Sequence, residues 1–259
     1  MRILTKFTPS PAALRFGLVA TSAAALALAA AAGTASAATL PARAPASVPA
    51  AHSAARSAAQ SPGYAPIGSP DASSSPWGGY VATGSGFTSI VGSWVEPKVT
   101  CNSSNNLFAP WVGIDGYGSS SVEQTGVQAD CSSGSPVYSA WYEMYPKAPV
   151  YISTSKYPAA ANDKFTGSVV TSGNGSYKIT LKDDTKGWTY TTTQRLNAQN
   201  VSAEAIIESP TSSYPTFTAC KFSAITVNGE VFSSFDPTPL SSGGYSPTAL
   251  KGGAFKLVP

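Results

Sequence analysis

Histidine is almost missing from this 259-residue chain, and its one copy, His52, lies in an Ala/Pro/Ser segment with little to bury. The rest of the chain therefore has no Ser-His-Asp or Cys-His arrangement, no HExxH zinc site and no imidazole base. A G-x-S-x-G elbow, a C-x-x-C pair and a phosphate-cradling glycine loop are absent as well. Charge is scarce, at 11% of residues. Acid would protonate few carboxylates and break few ion pairs, so the composition suits a fold that tolerates low pH. After the N-terminal segment no second long apolar run occurs that could cross a membrane. If the chain is an enzyme, carboxylates and amides must do its chemistry.

What is present begins with a leader. Arg2, Lys6 and Arg15 precede the charge-free run FGLVATSAAALALAAAA and the small-residue stretch GTASAA. This is the layout of a secretory signal peptide, with cleavage predicted after Ala37. The mature chain is expected to be secreted and extracellular, with no membrane attachment once the signal is removed. Losing those three basic residues from sixteen leaves thirteen Lys and Arg against thirteen Asp and Glu. Net charge then gives no argument for nucleic acid.

Residues 38–72 carry almost no large apolar side chains and cannot build a core. They read either as a flexible linker or as a removable prosegment, whose Arg43, His52 and Arg56 would suit an acidic cleft. Three cysteines in an exported chain leave one thiol over if a disulfide forms. Cys101 and Cys131 lie in Ser-rich loop sequence and Cys220 in strand-like sequence, so the expected pairing is 101 with 131, with Cys220 buried.

From residue 73 to 259 the texture changes to short β-branched and aromatic runs separated by Gly, Ser, Pro, Asn and Asp. About ten such runs fit strands. SYKITLKD has the cleanest period of two, with Tyr177, Ile179 and Leu181 on one side and Lys178, Thr180 and Lys182 on the other. VYSAWYEMY, KFTGSVVT, WTYTTTQR and CKFSAITVNGEVF behave similarly, the last with an Asn-Gly hairpin signal at Asn228 and Gly229. SAEAIIES, residues 202–209, contains helix formers and fits a helical turn before Pro210 as well as a strand. No long amphipathic helix is evident, so the fold class is all-β, a sandwich or barrel of about 185 residues, large enough for one core.

Strand alternation decides which polar groups share a face. Trp111, Gly113 and Asp115 point together, as do Val122, Gln124 and Gly126, and Ser139, Trp141, Glu143 and Tyr145. If residues 204–208 are extended, Glu204, Ile206 and Glu208 align too. Several strands each offering one polar side chain among aromatics suit a substrate cleft on a sheet. The same pattern also fits a hydrogen-bonded Gln or Glu packed on a half-buried sheet.

At these residues the chain resembles the glutamic peptidase, or eqolisin, family of acid endopeptidases. The blocks SPWGGY, WVGIDG, VEQTGV, SAWYEMYP and SAEAIIES follow one another over residues 75 to about 240 with comparable order and spacing. The resemblance implies an antiparallel β-sandwich of two curved sheets, a lectin-like jelly roll, with a Gln/Glu dyad on its concave side. It places the dyad at Gln124 and Glu208, with Glu204 as the non-catalytic first Glu of its motif. It also sets Trp77, Trp111, Asp115, Trp141, Glu143 and Tyr145 where relatives line or support the cleft. Gln128 and Ser139 stand where fungal members carry Asp. Fewer acids near the dyad imply a smaller upward push on the Glu208 pKa.

These roles match the needs of peptide hydrolysis. Glu208 would take a proton from water and return it to the leaving amine, while the Gln124 amide would donate to the developing oxyanion without titrating. An acid at position 124 would instead compete for the same proton. Polypeptide substrates, a monomer, and no metal or other cofactor are expected. Two alternatives stay open: a glycoside hydrolase using Glu143 and Glu208, and a non-catalytic carbohydrate-binding module whose aromatics stack on sugar rings.

Overall fold

Runs of period two in the sequence become antiparallel neighbours in two sheets. The computed structural model describes residues 76–259. The leader over 1–37 and the segment over 38–72 lie outside the described residues, and the β-domain expected from residue 73 is described from Pro76.

In chain order the strands are β1 (Trp77–Thr83), β2 (Ser89–Val95), β3 (Leu107–Asp115), β4 (Val122–Asp130), β5 (Val137–Tyr145) and β6 (Val150–Tyr151). They continue with β7 (Lys164–Thr171), β8 (Ser176–Asp183), β9 (Trp188–Arg195), β10 (Ser202–Glu208) and β11 (Cys220–Val227). Four short strands close the domain: β12 (Glu230–Val231), β13 (Thr238–Leu240), β14 (Ser246–Pro247) and β15 (Phe255–Val258). The helical content of the described residues is one 3-10 turn, Phe232–Phe235. One sheet runs β13-β1-β10-β3-β4-β5-β6 and the other β14-β15-β11-β2-β7-β8-β9, with β12 paired to β11.

The inner faces of the two sheets meet in the main core. Tyr177, Ile179 and Leu181 of β8 point inward as their alternation requires. Trp94 stacks on Phe165 at 5.8 Å between centroids, and Phe222 on Phe255 at 5.0 Å. Aromatic pairs of this kind add roughly 0.5–1.5 kcal/mol beyond the area they bury. Segment 202–208, with its helix-forming Ala and Glu, is a strand between β1 and β3, and each of its residues is buried. Pairing on both edges outweighs its local propensity.

The Asn-Gly signal forms the hairpin between β11 and β12, with φ of 52° at Asn228 and 82° at Gly229. Both values lie in the left-handed region that a two-residue hairpin loop needs. Asn228 also ties this turn to the start of β2: its Oδ1 accepts from Thr88 N at 2.7 Å and Ser89 N at 3.1 Å. Cys101 and Cys131 form a disulfide that holds the segment before β3 to the end of β4, and Cys220 is a buried thiol.

Candidate active site

The outer face of the first sheet carries a second, smaller cluster of buried apolar groups that includes Trp77, Val81, Trp111, Trp141 and Ile206. The register explains how polar groups come to lie among them. Across β10, β3, β4 and β5, Glu204 opposes Gly113, Gly113 opposes Gln124, and Gln124 opposes Glu143. Four residues further along β10, Glu208 lies between Trp77 of β1 and Ala109 of β3.

Gln124 and Glu143 are completely buried and joined, the amide Nε2 donating to Glu143 Oε2 at 2.6 Å. An amide nitrogen has two hydrogens, so this bond fixes the orientation of the group and leaves a second donor. Burial pushes the Glu143 carboxyl up to about 8, with the Gln124 bond acting the other way. Glu143 is therefore neutral in acid and keeps its place by geometry and not by charge.

Glu208 is 3% exposed, and its Oε2 accepts from the Trp111 indole at 3.2 Å. Burial raises its pKa well above the ordinary value, the charge of Glu143 raises it further, and hydrogen bonds from Trp111 and Trp77 lower it. The two indoles meet edge to face, with centroids 4.8 Å apart at 81°, so each fixes the donor direction of the other. Burial is the larger cause, and the repulsion from Glu143 acts only once that carboxyl ionises, above its own raised pKa. Of the two positions that depart from the fungal pattern, Gln128 accepts at Oε1 from the Tyr151 hydroxyl at 3.1 Å, and Ser139 lies opposite it on β5.

Glu204 has a different electrostatic setting. It is buried, and the charges that push it up after burial itself are those of Asp115 and Glu123, with a Ser202 bond working against them. Glu208 instead responds to Glu143 and through it to Gln124. The two Glu residues of one motif thus belong to two separate groups.

Asp115 departs from the expected alternation. At φ 65° it ends β3 in the left-handed region, and its carboxylate accepts from the backbone N–H groups of Gln199, Asn200 and Val201 at 2.8–3.1 Å. It fixes the chain leading into β10. Trp141 is buried beside Trp111, and Tyr145, half-buried at the end of β5, packs against the same cluster. The glycine of the Gln-Thr-Gly motif has a steric reason: a Cβ on Gly126 would run into the backbone carbonyl of Pro110 on β3 and come within 2.8 Å of Trp111 Cβ and 2.9 Å of the Trp141 ring.

Tyr214, between β10 and β11, is a neighbour that the sequence did not single out. Its hydroxyl lies 3.0 Å from Ser242 Oγ and donates to Pro76 O at 3.2 Å, and the Glu208 charge helps to raise its pKa. A tyrosine in a Ser/Pro-rich loop has no periodicity to mark it. Among the described residues no group of three or more His, Cys, Asp or Glu is placed to hold a metal ion, and no helix is long and apolar enough to cross a membrane.

Comparison with known proteins agrees with this architecture. Aspergillopepsin-2 of Aspergillus niger is 29% identical over 159 residues, covering 52% of this chain and 56% of that protein. The chain thus spans about half the length of that relative. Crystal structures of scytalido-glutamic peptidase with a transition state analog inhibitor and of SCP-B, an eqolisin in complex with the tripeptide Ala-Ile-His, share the fold. Their TM-scores are 0.60 and 0.56 at 24% identity, over 70% of this chain and 97% and 96% of theirs. The profile of the Peptidase A4 family matches residues 75–238, which is most of the chain and includes both Gln124 and Glu208. The chain belongs to the Peptidase A4 family.

Proposed function

We propose that this protein is a secreted, acid-working glutamic endopeptidase in which Glu208 is the general base and acid and Gln124 the oxyanion donor. The observation that carries the reading is the buried set in which Glu143 holds the Gln124 amide and lies within electrostatic reach of Glu208. The family supports peptide hydrolysis as the chemistry. The leader before Ala37 supports export.

The steps follow from these groups. Ionised Glu208 takes a proton from a water, whose oxygen attacks the carbonyl carbon of the scissile bond. The carbonyl electrons move onto oxygen, and the free Gln124 N–H donates to that oxyanion. When the tetrahedral centre collapses, the C–N bond breaks and Glu208 gives its proton to the departing nitrogen. Burial makes Glu208 a stronger base once ionised, and the Trp111 and Trp77 donors offset part of that rise by favouring the ionised form. Trp77, Trp111, Trp141 and Tyr145 supply apolar walls, and Glu143 positions the amide.

The test is hydrolysis of a denatured protein from acidic to neutral pH by the wild type, Glu208→Gln and Gln124→Ala, each checked for folding by circular dichroism. Acid-favoured cleavage lost on Glu208→Gln, and reduced about 10²–10³-fold on Gln124→Ala, is expected. No cleavage by the folded wild type would end the reading and turn attention to polysaccharide hydrolysis by Glu143 and Glu208, and cleavage indifferent to Glu208 would end the role assigned to that residue.

A further inference from the structure

The formal charge balance hides where the charges sit. Glu96, Glu123, Glu143, Glu204 and Glu208 are all buried, while the basic side chains stay outside and gather on the outer face of the second sheet. Lys256 of β15 opposes Lys221 of β11, Lys221 opposes Val95 of β2, and Val95 opposes Lys164 of β7. Three cations therefore lie in one row across four strands. Lys182 opposes Thr166, Lys178 opposes Val170, and Arg195 of β9 opposes Ser176, completing the face. All six cations are exposed.

Among the described residues the register puts one acid here, Asp184, which is ion-paired with Lys182 at 2.7 Å. Like charges directly opposed on neighbouring strands are unfavourable, so the fold gains nothing from Lys221 facing Lys256. Hydroxyls fill the space between cations, with Ser93 and Thr166 2.8 Å apart and Thr180 and Thr191 3.2 Å apart. The aromatic residues of β8 and β9, Tyr177, Trp188 and Tyr190, alternate to the inner side. Beside the lysine pair opens a recess of about 440 Å³, lined also by Lys251 and Thr248 and by Phe222, Phe255, Ala249 and Ala254.

We propose that this outer face is a docking surface for a polyanion whose charge is carried by phosphodiester groups, a polyol-phosphate polymer. The cations lie about 4.8 Å apart from β11 to β15, about 9.6 Å apart from β11 to β7 across Val95, and about 13.6 Å apart along β8, a spread that matches an extended chain of repeated charges better than one small anion. Sugar rings and nucleobases are held by exposed aromatic platforms; the two rings beside the recess, Phe222 and Phe255, are 2% and 3% exposed, so an acidic polysaccharide or a nucleic acid fits less well. Lysine meets phosphate as a point charge and needs no bidentate geometry. A phosphodiester also keeps its charge in acid, where carboxylates with pKa near 4 lose theirs. That last step rests on the acid-working reading above.

The experiment is an anisotropy titration of labelled poly(glycerol phosphate) with the full chain at pH 4 and pH 7 and at several salt concentrations. Wild type is expected to bind at both pH values, more weakly as salt rises. Lys164→Gln/Lys221→Gln/Lys256→Gln should lose at least tenfold in affinity with a shallower salt dependence. The same three positions changed to Arg, and the off-face pair Lys147→Gln/Lys156→Gln, should bind as wild type, with peptide hydrolysis unchanged throughout. Absence of saturable binding, a Gln triple that binds as wild type, an equal loss in the off-face pair, or tighter binding of polygalacturonate or DNA would each overturn the proposal. Binding without any peptide hydrolysis would instead sink the catalytic reading and leave the docking surface standing.

Discussion

At Glu208 burial holds the proton on, and the Trp111 and Trp77 donors draw it off. Trp111→Phe removes one donor to the ionised form while keeping an aromatic ring against Trp77. Its expected effect is an upward move of the acid limb of kcat/KM by about one pH unit, since a hydrogen bond to a charged group contributes about 1.5–3 kcal/mol. A pH-rate profile that stays in place would show that the indole acts only by packing. The sequence revealed the residue types here, because Gln124, Glu143 and the tryptophans lie on alternating strand positions. It could not reveal that Gln124 and Glu143 are bonded, which depends on β4 and β5 being neighbours in a given register. Nor could it reveal that Asp115 turns away, because a left-handed φ at the end of a strand leaves no mark on periodicity.

Among the strands, legibility followed exposure. Strands β7 and β8 have an alternating burial pattern and were readable as strands. Strand β10 is buried on both faces, so its sequence has no polar side to give the period of two, and only its neighbours β1 and β3 decide its state. Short edge strands such as β13 and β14, of three and two residues, are too short to carry a pattern at all. The hairpin at Asn228 was legible because its dipeptide is a backbone requirement. Asn228→Ala loses the bonds to Thr88 N and Ser89 N and puts alanine at φ 52°. Denaturant unfolding should show a loss of about 2–3 kcal/mol with kcat unchanged, since the turn is remote from Gln124 and Glu208. Gly126→Ala should affect both: its Cβ would run into the Pro110 carbonyl of β3, where backbone cannot step aside, as well as Trp111 and Trp141, lowering Tm and reducing kcat/KM at least tenfold.

For the molecule as a whole, acid tolerance comes from where its few carboxyls are put. Burial, aided by the Asp115 charge, pushes Glu123 from 4.5 up to about 9, and burial raises Glu96 and Glu204 in the same direction. Below pH 4.5 folded and unfolded chains both hold these protons. Above it the unfolded chain releases them, while the folded chain keeps the Glu123 proton until about pH 9 and holds those of Glu96 and Glu204 above the ordinary carboxylate range, so stability is greatest in acid and falls as pH rises. Glu123 by itself contributes on the order of a few kcal/mol, so Tm is expected to drop by about 10 °C or more between pH 4 and pH 8. Glu123→Gln should flatten that drop, and a Tm that rises with pH would contradict the assignment. Loss of activity near neutral pH therefore combines unfolding with catalysis, and the two must be separated at a pH where the fold is secure. The measurement that does so most directly is single-turnover peptide hydrolysis in acid by folded Glu208→Gln and folded Glu204→Gln side by side. Glu208→Gln should lose about 10²–10⁴-fold in rate, while Glu204→Gln stays within tenfold of wild type. If Glu204→Gln is the inactive one and Glu208→Gln turns over, the pairing of Glu208 with Gln124 is wrong and the mechanism built on it fails.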